Sequence, residues 1–356
     1  MSTAVRDGFS FGLETEFLLA DASSFRPLWH HDLQFEALNE NLEAIPTDDF
    51  QCDSFKVEPP HRKPGPYVVE GYHLPDPEMN PIDLLPKGVE IRTPIRSSID
   101  DCLAAFKVLY GRLQHALAKA GLQAVALSFH PTEVYFSGPQ NKRRHDYWQW
   151  AMVAMLTYGP DVNISLPDAL AQRIDVKDLN EKVNYYVPAL TALTLSSPLY
   201  GGQLWRIRGR IGKSVRTYRR SVVAPALEIH PDEGLRLELK PFEMTCSLVD
   251  YRNYFLLWLT LLLDEGLKGR ASDQTRIYDL GRIARDGLDA ETVRERANTV
   301  MDRAPQALSP WGFDCASLHS FRLRLEQGHL PADDIVAIFE REKTISGTLR
   351  YLSNLV

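Results

Sequence analysis

The stretch Phe11-Gly-Leu-Glu-Thr-Glu-Phe17 alternates apolar with polar side chains, and it predicts a half-buried strand over residues 9–19. Side chains two positions apart on a strand share a face, so Leu13, Thr15 and Phe17 would point one way. Glu14 and Glu16 would point the other way. Two glutamates this close repel unless something cationic lies between them. The polar face of this strand is therefore a candidate cation-binding surface.

Three further segments repeat the pattern of one apolar face and one charged face: Val89-Glu-Ile-Arg-Thr93, Asp161-Val-Asn-Ile-Ser-Leu166 and Leu235-Arg-Leu-Glu-Leu-Lys240. For any one of these strands, the simplest interpretation is a solvated sheet surface, which antiparallel sheets commonly have. The charged faces, however, concentrate glutamate with arginine, whereas a simply solvated surface usually mixes lysine, glutamate, glutamine and threonine. Four such strands together favour a functional face.

Carboxylates and phosphates are the ligands that Mg²⁺ prefers. A concave sheet with this pattern would hold Mg²⁺ against a nucleoside triphosphate through four glutamates, Glu14, Glu16, Glu90 and Glu238. Positive side chains beside them would neutralise charge on a phosphoryl group during its transfer. The candidates for this role are Arg92, Arg236 and Lys240.

The order of predicted elements indicates a single α+β domain over residues 1–356 with mostly antiparallel strands. The clearest helix spans residues 99–120, preceded by the capping residue Ser98 and followed by Gly121. Residues 22–87 are rich in proline and predict an irregular excursion. The chain from about residue 248 to residue 356 is predicted to be helical.

Composition excludes several classes of protein. The chain has 47 acidic and 40 basic residues and a net charge of −7, which argues against nucleic acid as a partner. Its longest apolar run, Phe255–Leu263, is shorter than the roughly 20 residues that cross a membrane. The first residues show no secretory leader, and the four cysteines have no metal-binding or disulfide spacing. We therefore expect a cytoplasmic protein.

A basic segment and one histidine leave two interpretations each. Residues 205–220 contain seven cations and no acid, which indicates either a solvated basic loop or an active-site loop. In the second case Arg216 and Arg219 would bind an acidic substrate or ATP phosphates, whereas RNA binding has weaker support. His130, before Pro131, either orients a substrate or completes the end of a strand.

Five short motifs occur along the chain in a fixed order: Gly12–Glu16, Val89–Thr93, Leu127–Pro131, Val187–Gly201 and Leu237–Lys240. In this order they resemble the glutamate–cysteine ligase type 2 family of carboxylate–amine ligases, and the resemblance extends from residue 11 to about residue 265. It implies the glutamine-synthetase-like fold, in which helices pack on the outer face of a saddle-shaped, mostly antiparallel sheet.

The resemblance also implies a reaction. ATP would phosphorylate a glutamate-like carboxylate, and an amine would attack the acyl phosphate to give a γ-glutamyl amide, with small-molecule carboxylate and amine as partners. In this family's pattern Glu14, Glu16, Glu90 and Glu238 would bind Mg²⁺. Asp83 would be a further ligand, although Glu58 competes for that role. Lys240 would stand where an arginine stabilises the transferred phosphoryl group.

Two departures from the family pattern keep other functions open. A His-x-His pair is replaced by Asp161 and Asn163, which we assign with Arg236 to nucleotide or substrate binding. Lys240 in place of arginine loses the bidentate fork. The alternative is a catalytically silent member that binds nucleotide or a partner protein as a regulator, and a third option is a phosphotransferase. Exposed helices and strand edges would also allow a homodimer.

Overall fold

A computed structural model describes residues 8–52 and 55–356, so residues 1–7, where no leader is predicted, lie outside the described residues. Its main feature is a seven-stranded sheet in the order β10-β11-β5-β1-β3-β2, with β4 also paired to β1. All of these pairs are antiparallel. The strands are β1 (Ser10–Asp21), β2 (Tyr67–Pro75), β3 (Pro81–Arg92), β4 (Leu122–Val125), β5 (Pro160–Ser165), β10 (Leu227–His230) and β11 (Arg236–Leu239).

The register of the central strands brings the charged faces together. Glu14 on β1 lies opposite Arg92 on β3 and opposite Asp161 on β5. Glu238 on β11 lies opposite Asn163 on β5. The prediction of one shared polar face is therefore confirmed, and we call this surface the polar face.

Helices cover the other side of the sheet, as the fold prediction required. The helices before the C-terminal third are α1 (Phe35–Glu43), α2 (Ile99–Lys119), α3 (His145–Ala154), α4 (Asp168–Ala171), α5 (Val176–Ala192) and α6 (Val215–Arg220). The C-terminal helices are α7 (Leu248–Leu263), α8 (Asp273–Asp286), α9 (Val293–Leu308), α10 (His319–Gln327), α11 (Pro331–Glu342) and α12 (Ile345–Leu349). Phe11 on β1 packs edge-on against Phe255 of α7, with ring centroids 5.8 Å apart. Ser98 caps α2 by accepting a hydrogen bond from the Asp101 amide at 3.0 Å, which confirms that cap. The division into domains stays a prediction.

The structure corrects the prediction for residues 22–87. This segment contains α1, the edge strand β2 and the first half of β3 rather than an irregular excursion. Its prolines are compatible with strands because of where they lie. Pro75 and Pro81 lie on the two sides of the turn between β2 and β3. Gly88 is the β3 residue at which pairing with β1 ends, so Pro86, two residues earlier in the chain, has no partner on β1.

The short segment between α5 and β10 contains two small hairpins. They are formed by β6 (Leu199–Tyr200) with β7 (Gln203–Leu204), and by β8 (Arg206–Ile207) with β9 (Arg210–Ile211). The predicted basic segment is therefore an ordered hairpin followed by α6. Among the described residues, no helix combines the length and apolar character needed to span a bilayer.

Gly88 allows β3 to approach β1 closely, so Gly88→Ala should destabilise the protein. A Cβ at this position would lie 2.1 Å from the Phe17 carbonyl oxygen, and we expect a loss of about 3 kcal/mol in the free energy of unfolding. Gly111 on α2 is the matched control because nothing lies within 4 Å of its Cβ position. Gly111→Ala should instead stabilise the protein by about 0.5–1 kcal/mol. Denaturant unfolding measures both, and equal effects would contradict the packing argument.

Candidate active site

Three carboxylates from adjacent strands form the centre of the polar face. Oxygens of Glu14, Asp161 and Glu238 all lie within 4.8 Å of one another. Burial, with the nearby charge of Glu90 as the next cause, raises the pKa of Glu14 to about 8. Crowded, partly buried carboxylates of this kind are unfavourable without a positive charge between them. The centre therefore suits a cation.

Two basic side chains already contact this centre. The Lys240 ammonium donates to Asp161 Oδ2 at 2.8 Å and also to Glu238. Arg236 Nη1 donates to Glu238 Oε2 at 2.7 Å and to Asn163 Oδ1 at 2.6 Å. Burial alone would raise the pKa of Asp161, but the positive charges of Lys240 and Arg220 outweigh it and hold that pKa below its usual value. Asp161, Asn163, Arg236 and Lys240 thus meet as the sequence predicts.

A second group of charges lies around Arg92 on β3. Its Nε donates to Glu90 Oε2 at 2.5 Å and its Nη1 to Glu58 Oε1 at 3.0 Å. Glu70 on β2 stands 3.9 Å from the same guanidinium. Burial raises the pKa of Glu90 to about 8 and that of Glu70 to about 7. Arg92 alone does not compensate these acids, so this end of the face is also short of positive charge.

Sequence reasoning missed Lys87, which is the partner of Glu16. The Lys87 side chain is 4% exposed, and its ammonium lies 2.9 Å from Glu16 Oε1. It also donates to the carbonyls of Ala154 and Thr157. Strict alternation from Glu90 puts Lys87 on the apolar side, but the bulge opposite Glu70 and Gly71 shifts the pattern by one residue. Nothing in the sequence signals that bulge.

The structure does not bring Asp83 to the polar face. Asp83 is exposed near the β2–β3 turn, where its Oδ1 accepts from the Leu84 amide at 2.8 Å. The assignment of Asp83 rested on the family resemblance, and strict alternation over the seven residues to Glu90 does not put the two on one face. Glu58, the competing candidate, does reach the face through its ion pair with Arg92.

Arg216 and Arg219, which the sequence predicts in a basic loop, lie on α6. Arg216 is 1% exposed and donates to the backbone carbonyls of Lys240 and Pro241 at 3.0 and 3.1 Å. Arg219 donates to the Val134 carbonyl at 2.7 Å, and its guanidinium lies above the Phe129 ring. Arg216 therefore stands directly behind the Lys240 segment, whereas Arg219 holds α6 against the loop after His130.

Glu243 connects the polar face to α6. Its carboxylate is fully buried and accepts hydrogen bonds from the Ser196 amide at 2.6 Å, the Ser197 hydroxyl at 2.9 Å and the Thr217 hydroxyl at 2.6 Å. The Ser214 hydroxyl, which caps α6, also donates to it. One carboxylate thus fixes the start of α6 relative to the chain that follows Lys240.

His130 is fully buried, and backbone groups satisfy both of its ring nitrogens. Nε2 faces the Leu28 carbonyl at 3.2 Å, and Nδ1 accepts from the Glu133 amide at 3.0 Å. This arrangement requires a neutral ring that carries its proton on Nε2. It favours the structural interpretation of His130 over substrate binding.

We expect His130 to make the protein less stable in acid. Burial lowers the pKa of His130 to about 4. Below pH 6.5 this histidine therefore binds a proton in the unfolded chain but stays neutral in the native protein. The associated loss, about 3 kcal/mol, develops as the pH falls from about 6.5 to 4. Denaturant unfolding across this range should give a smaller pH slope for His130→Asn than for the wild type. Equal slopes would contradict the neutral buried ring.

The sequence also gave no signal for β10, which adds two groups beside Glu238. Ligand atoms of Glu228, His230 and Glu238 lie within 4.8 Å of one another. His230 Nε2 is 2.9 Å from Glu238 Oε2, and the Lys240 ammonium is 3.4 Å from Glu228 Oε2. Glu238 therefore belongs both to this group and to the group that it forms with Glu14 and Asp161.

The family model described as glutamate–cysteine ligase family 2 matches residues 10–222, which is more than half of the chain. No curated protein sequence gives a significant match. Three solved structures have a similar fold. A bifunctional glutathione synthetase from Pasteurella multocida is 14% identical with a TM-score of 0.65, and the match covers 98% of this chain and 52% of that one. This chain thus spans about half of that relative's length.

The second structure is a glutamate–cysteine ligase from Francisella tularensis in complex with AMP. It is 12% identical with a TM-score of 0.63, and the match covers 97% of this chain and 88% of that one. The third is the ligase PafA in complex with the prokaryotic ubiquitin-like protein Pup. It is 11% identical with a TM-score of 0.58, and the match covers 98% of this chain and 73% of that one. At these identities the likeness establishes the fold.

Proposed function

This chain belongs to the glutamate–cysteine ligase family 2, and from that premise we propose that it is an ATP-dependent ligase joining a carboxylate to an amine. The expectation of a ligase is confirmed at the level of the family. The observation that carries the proposal is the centre formed by Glu14, Asp161 and Glu238, with Lys240 in contact with two of its three carboxylates. This centre combines ligands for a metal with a cation for a phosphoryl group.

The donor set fits Mg²⁺. Glu14 and Glu238 offer carboxylate oxygens beside Asp161, and the raised pKa of Glu14 indicates that the present cations leave negative charge uncompensated. We assign Glu14, Glu16, Glu90 and Glu238 as the residues that would hold the metal. When bound, Mg²⁺ would bind phosphate oxygens and reduce their charge.

The protein's own contribution to the reaction is charge and position. A carboxylate oxygen attacks the γ-phosphorus of ATP, and ADP leaves. The amine nitrogen then attacks the acyl carbon, the C–O bond to phosphate breaks with its electron pair on phosphate, and the amine loses a proton. Lys240, Arg236 and Arg92 would stabilise the charge that develops on the transferred group. No protein nucleophile is required, because activation of the carboxylate divides one difficult step into two.

The test is ADP release from the purified protein with Mg²⁺, ATP and glutamate, with and without a panel of amines that includes cysteine. Product masses are read in the same samples. We expect ADP together with a condensed amide for one carboxylate–amine pair. ADP with a phosphorylated product and no amide would instead indicate a phosphotransferase. An absence of ADP for every pair, with measurable ATP binding, would contradict the ligase for that panel.

One observation favours the silent regulator as the second candidate. Lys240, Arg236, Arg92 and Lys87 each contact carboxylates that a metal would otherwise bind. If these ion pairs persisted with nucleotide bound, the face would bind ATP without turnover. Thermal stabilisation by Mg²⁺ that is lost in Glu14→Gln would argue against this candidate, because such stabilisation requires that a metal binds to the carboxylates.

A further inference from the structure

We propose that Arg216, Arg220 and Arg276 form a subsite for a phosphate dianion beside Lys240, on the α6 side of the polar face. The physiological source of that dianion rests on the proposed function, in which phosphate leaves the acyl phosphate. The three arginines and Lys240 line one cavity, together with residues such as Ser221 and Pro241. None of the residues that line it is acidic.

Arg216 supplies the fixed part of this subsite. It is 1% exposed, and two of its nitrogens are used by the carbonyls of Lys240 and Pro241. Its Nε is buried and has no hydrogen-bond partner among the described residues. A Cβ on Gly159, the residue before β5, would lie 2.1 Å from this guanidinium, so the guanidinium packs directly against the Gly159 backbone. A buried donor without a partner is costly, and an anion in the cavity would remove that cost.

Arg220 supplies a free charge. In the described part of the chain, its guanidinium has no side-chain hydrogen bond or ion pair, although it is only half-exposed. Its charge opposes the protonated forms of Lys240 and Arg216 and favours the ionised form of Asp161. Arg220 is therefore close to both the cavity and the polar face. Lys240 and Arg276 already have acidic partners, so Arg216 and Arg220 are the two positive charges here that an anion would compensate.

Arg276 extends the subsite with a residue from α8. Its side chain is 3% exposed and is held by Asp273, with Nη2 donating to Oδ1 at 2.6 Å. This residue lies outside residues 10–222, the part of the chain that the family model matches. The subsite thus combines α6, which lies within the matched residues, with α8, which lies after them in the chain.

The geometry suits phosphate better than a single carboxylate. Guanidinium groups bind phosphate through paired N–H donors. Arg220 keeps all of its donors, whereas Arg216 already contacts two carbonyls and Arg276 contacts Asp273, so these two would add only their remaining N–H groups. A tetrahedral dianion can accept hydrogen bonds from several directions, whereas one planar carboxylate engages a single fork. Because Lys240 belongs to both surfaces, phosphate released at the polar face would have an adjacent place to bind.

The experiment measures binding of inorganic phosphate by calorimetry, without nucleotide, metal or amine. The proteins are the wild type, Arg220→Gln, Arg276→Gln and the control Arg206→Gln, an exposed arginine on β8. We expect the wild type to bind phosphate and Arg220→Gln to raise the Kd about tenfold, as the loss of one charge-assisted contact implies. Arg220→Gln removes no internal partner, so it should fold normally. Arg276→Gln should weaken binding similarly, and Arg206→Gln should not.

Three results would overturn the subsite: no phosphate binding by the wild type, equal affinity in Arg220→Gln, or equal weakening in Arg206→Gln. A parallel titration with glutarate distinguishes the anion's chemistry, since tighter binding of this dicarboxylate would contradict the phosphate assignment. The outcome is separate from the ligase test. Phosphate binding that depends on Arg220 supports the subsite even if no ADP forms, whereas ADP formation without such binding leaves only the ligase supported.

Discussion

Glu238→Gln should lower ligase turnover by about 10³-fold. Glu238 is 4% exposed and belongs to both carboxylate groups of the polar face. It also accepts from Arg236 and Lys240, so its loss would weaken the metal site and leave two cations misplaced. Turnover is measured as ADP formed with the active carboxylate–amine pair. Thermal unfolding with and without Mg²⁺ gives a second readout, in which the variant should lose the metal-dependent stabilisation.

Asp232→Asn is the control for this variant. Asp232 lies in the exposed turn between β10 and β11. Its substitution therefore also removes one negative charge near the polar face, but from a residue outside that face. Turnover in this control should stay at the wild-type level. Wild-type turnover in Glu238→Gln, or an equal decrease in both variants, would contradict the role assigned to Glu238.

Glu243→Ala should cost about 3–5 kcal/mol of unfolding free energy. The substitution leaves the Ser196 amide and the hydroxyls of Ser197 and Thr217 buried without their acceptor. Each such group costs about 1–3 kcal/mol. The start of α6 would also lose its connection to the chain after β11. Denaturant unfolding monitored by circular dichroism measures the loss.

Two variants make this result interpretable. Glu243→Gln keeps the shape and one good acceptor, so its loss should be smaller than that of Glu243→Ala. Glu340→Ala removes an exposed glutamate of α11 and should change stability by less than about 0.5 kcal/mol. A loss below about 1 kcal/mol in Glu243→Ala would contradict its role as the buried anchor of α6.

The polar face could be predicted because period-two alternation is a local property of the sequence. Glu14 and Glu16 share a face on any regular strand, and the same rule placed Asp161 with Asn163 and Arg236 with Glu238. The order of short motifs then indicated how such strands belong to one fold. Neither observation required knowledge of contacts distant in the sequence.

The predictions failed where local regularity ends. The bulge in β3 moved Lys87 onto the polar face. Asp83, which only the family resemblance had assigned to the metal, lies exposed near the β2–β3 turn. Strand β10 was missed because its four residues carry too little pattern, although they bring Glu228 and His230 beside Glu238. Proline-rich residues 22–87 looked irregular because sequence alone does not show that Pro75 and Pro81 flank the β2–β3 turn, or that Pro86 lies where β3 has no partner on β1.

Long-range packing determined the roles of the basic residues. Sequence grouped Arg216 and Arg219 by their charge, but burial separates them. Arg216 supports the Lys240 backbone, whereas Arg219 bonds to the loop at Val134. Arg220 and Arg276 were not singled out, because their proximity depends on how α6 packs against α8.

In a ligase that activates its substrate as an acyl phosphate, a carboxylate oxygen of the substrate becomes an oxygen of phosphate. The most direct measurement uses a carboxylate substrate labelled with ¹⁸O in both oxygens, together with ATP, Mg²⁺ and the amine that supports ADP release. Mass spectrometry or ³¹P NMR then reads the label in the phosphate formed. We expect one ¹⁸O in each phosphate and one ¹⁸O retained in the amide. Unlabelled phosphate, formed with or without amide, would contradict activation through an acyl phosphate.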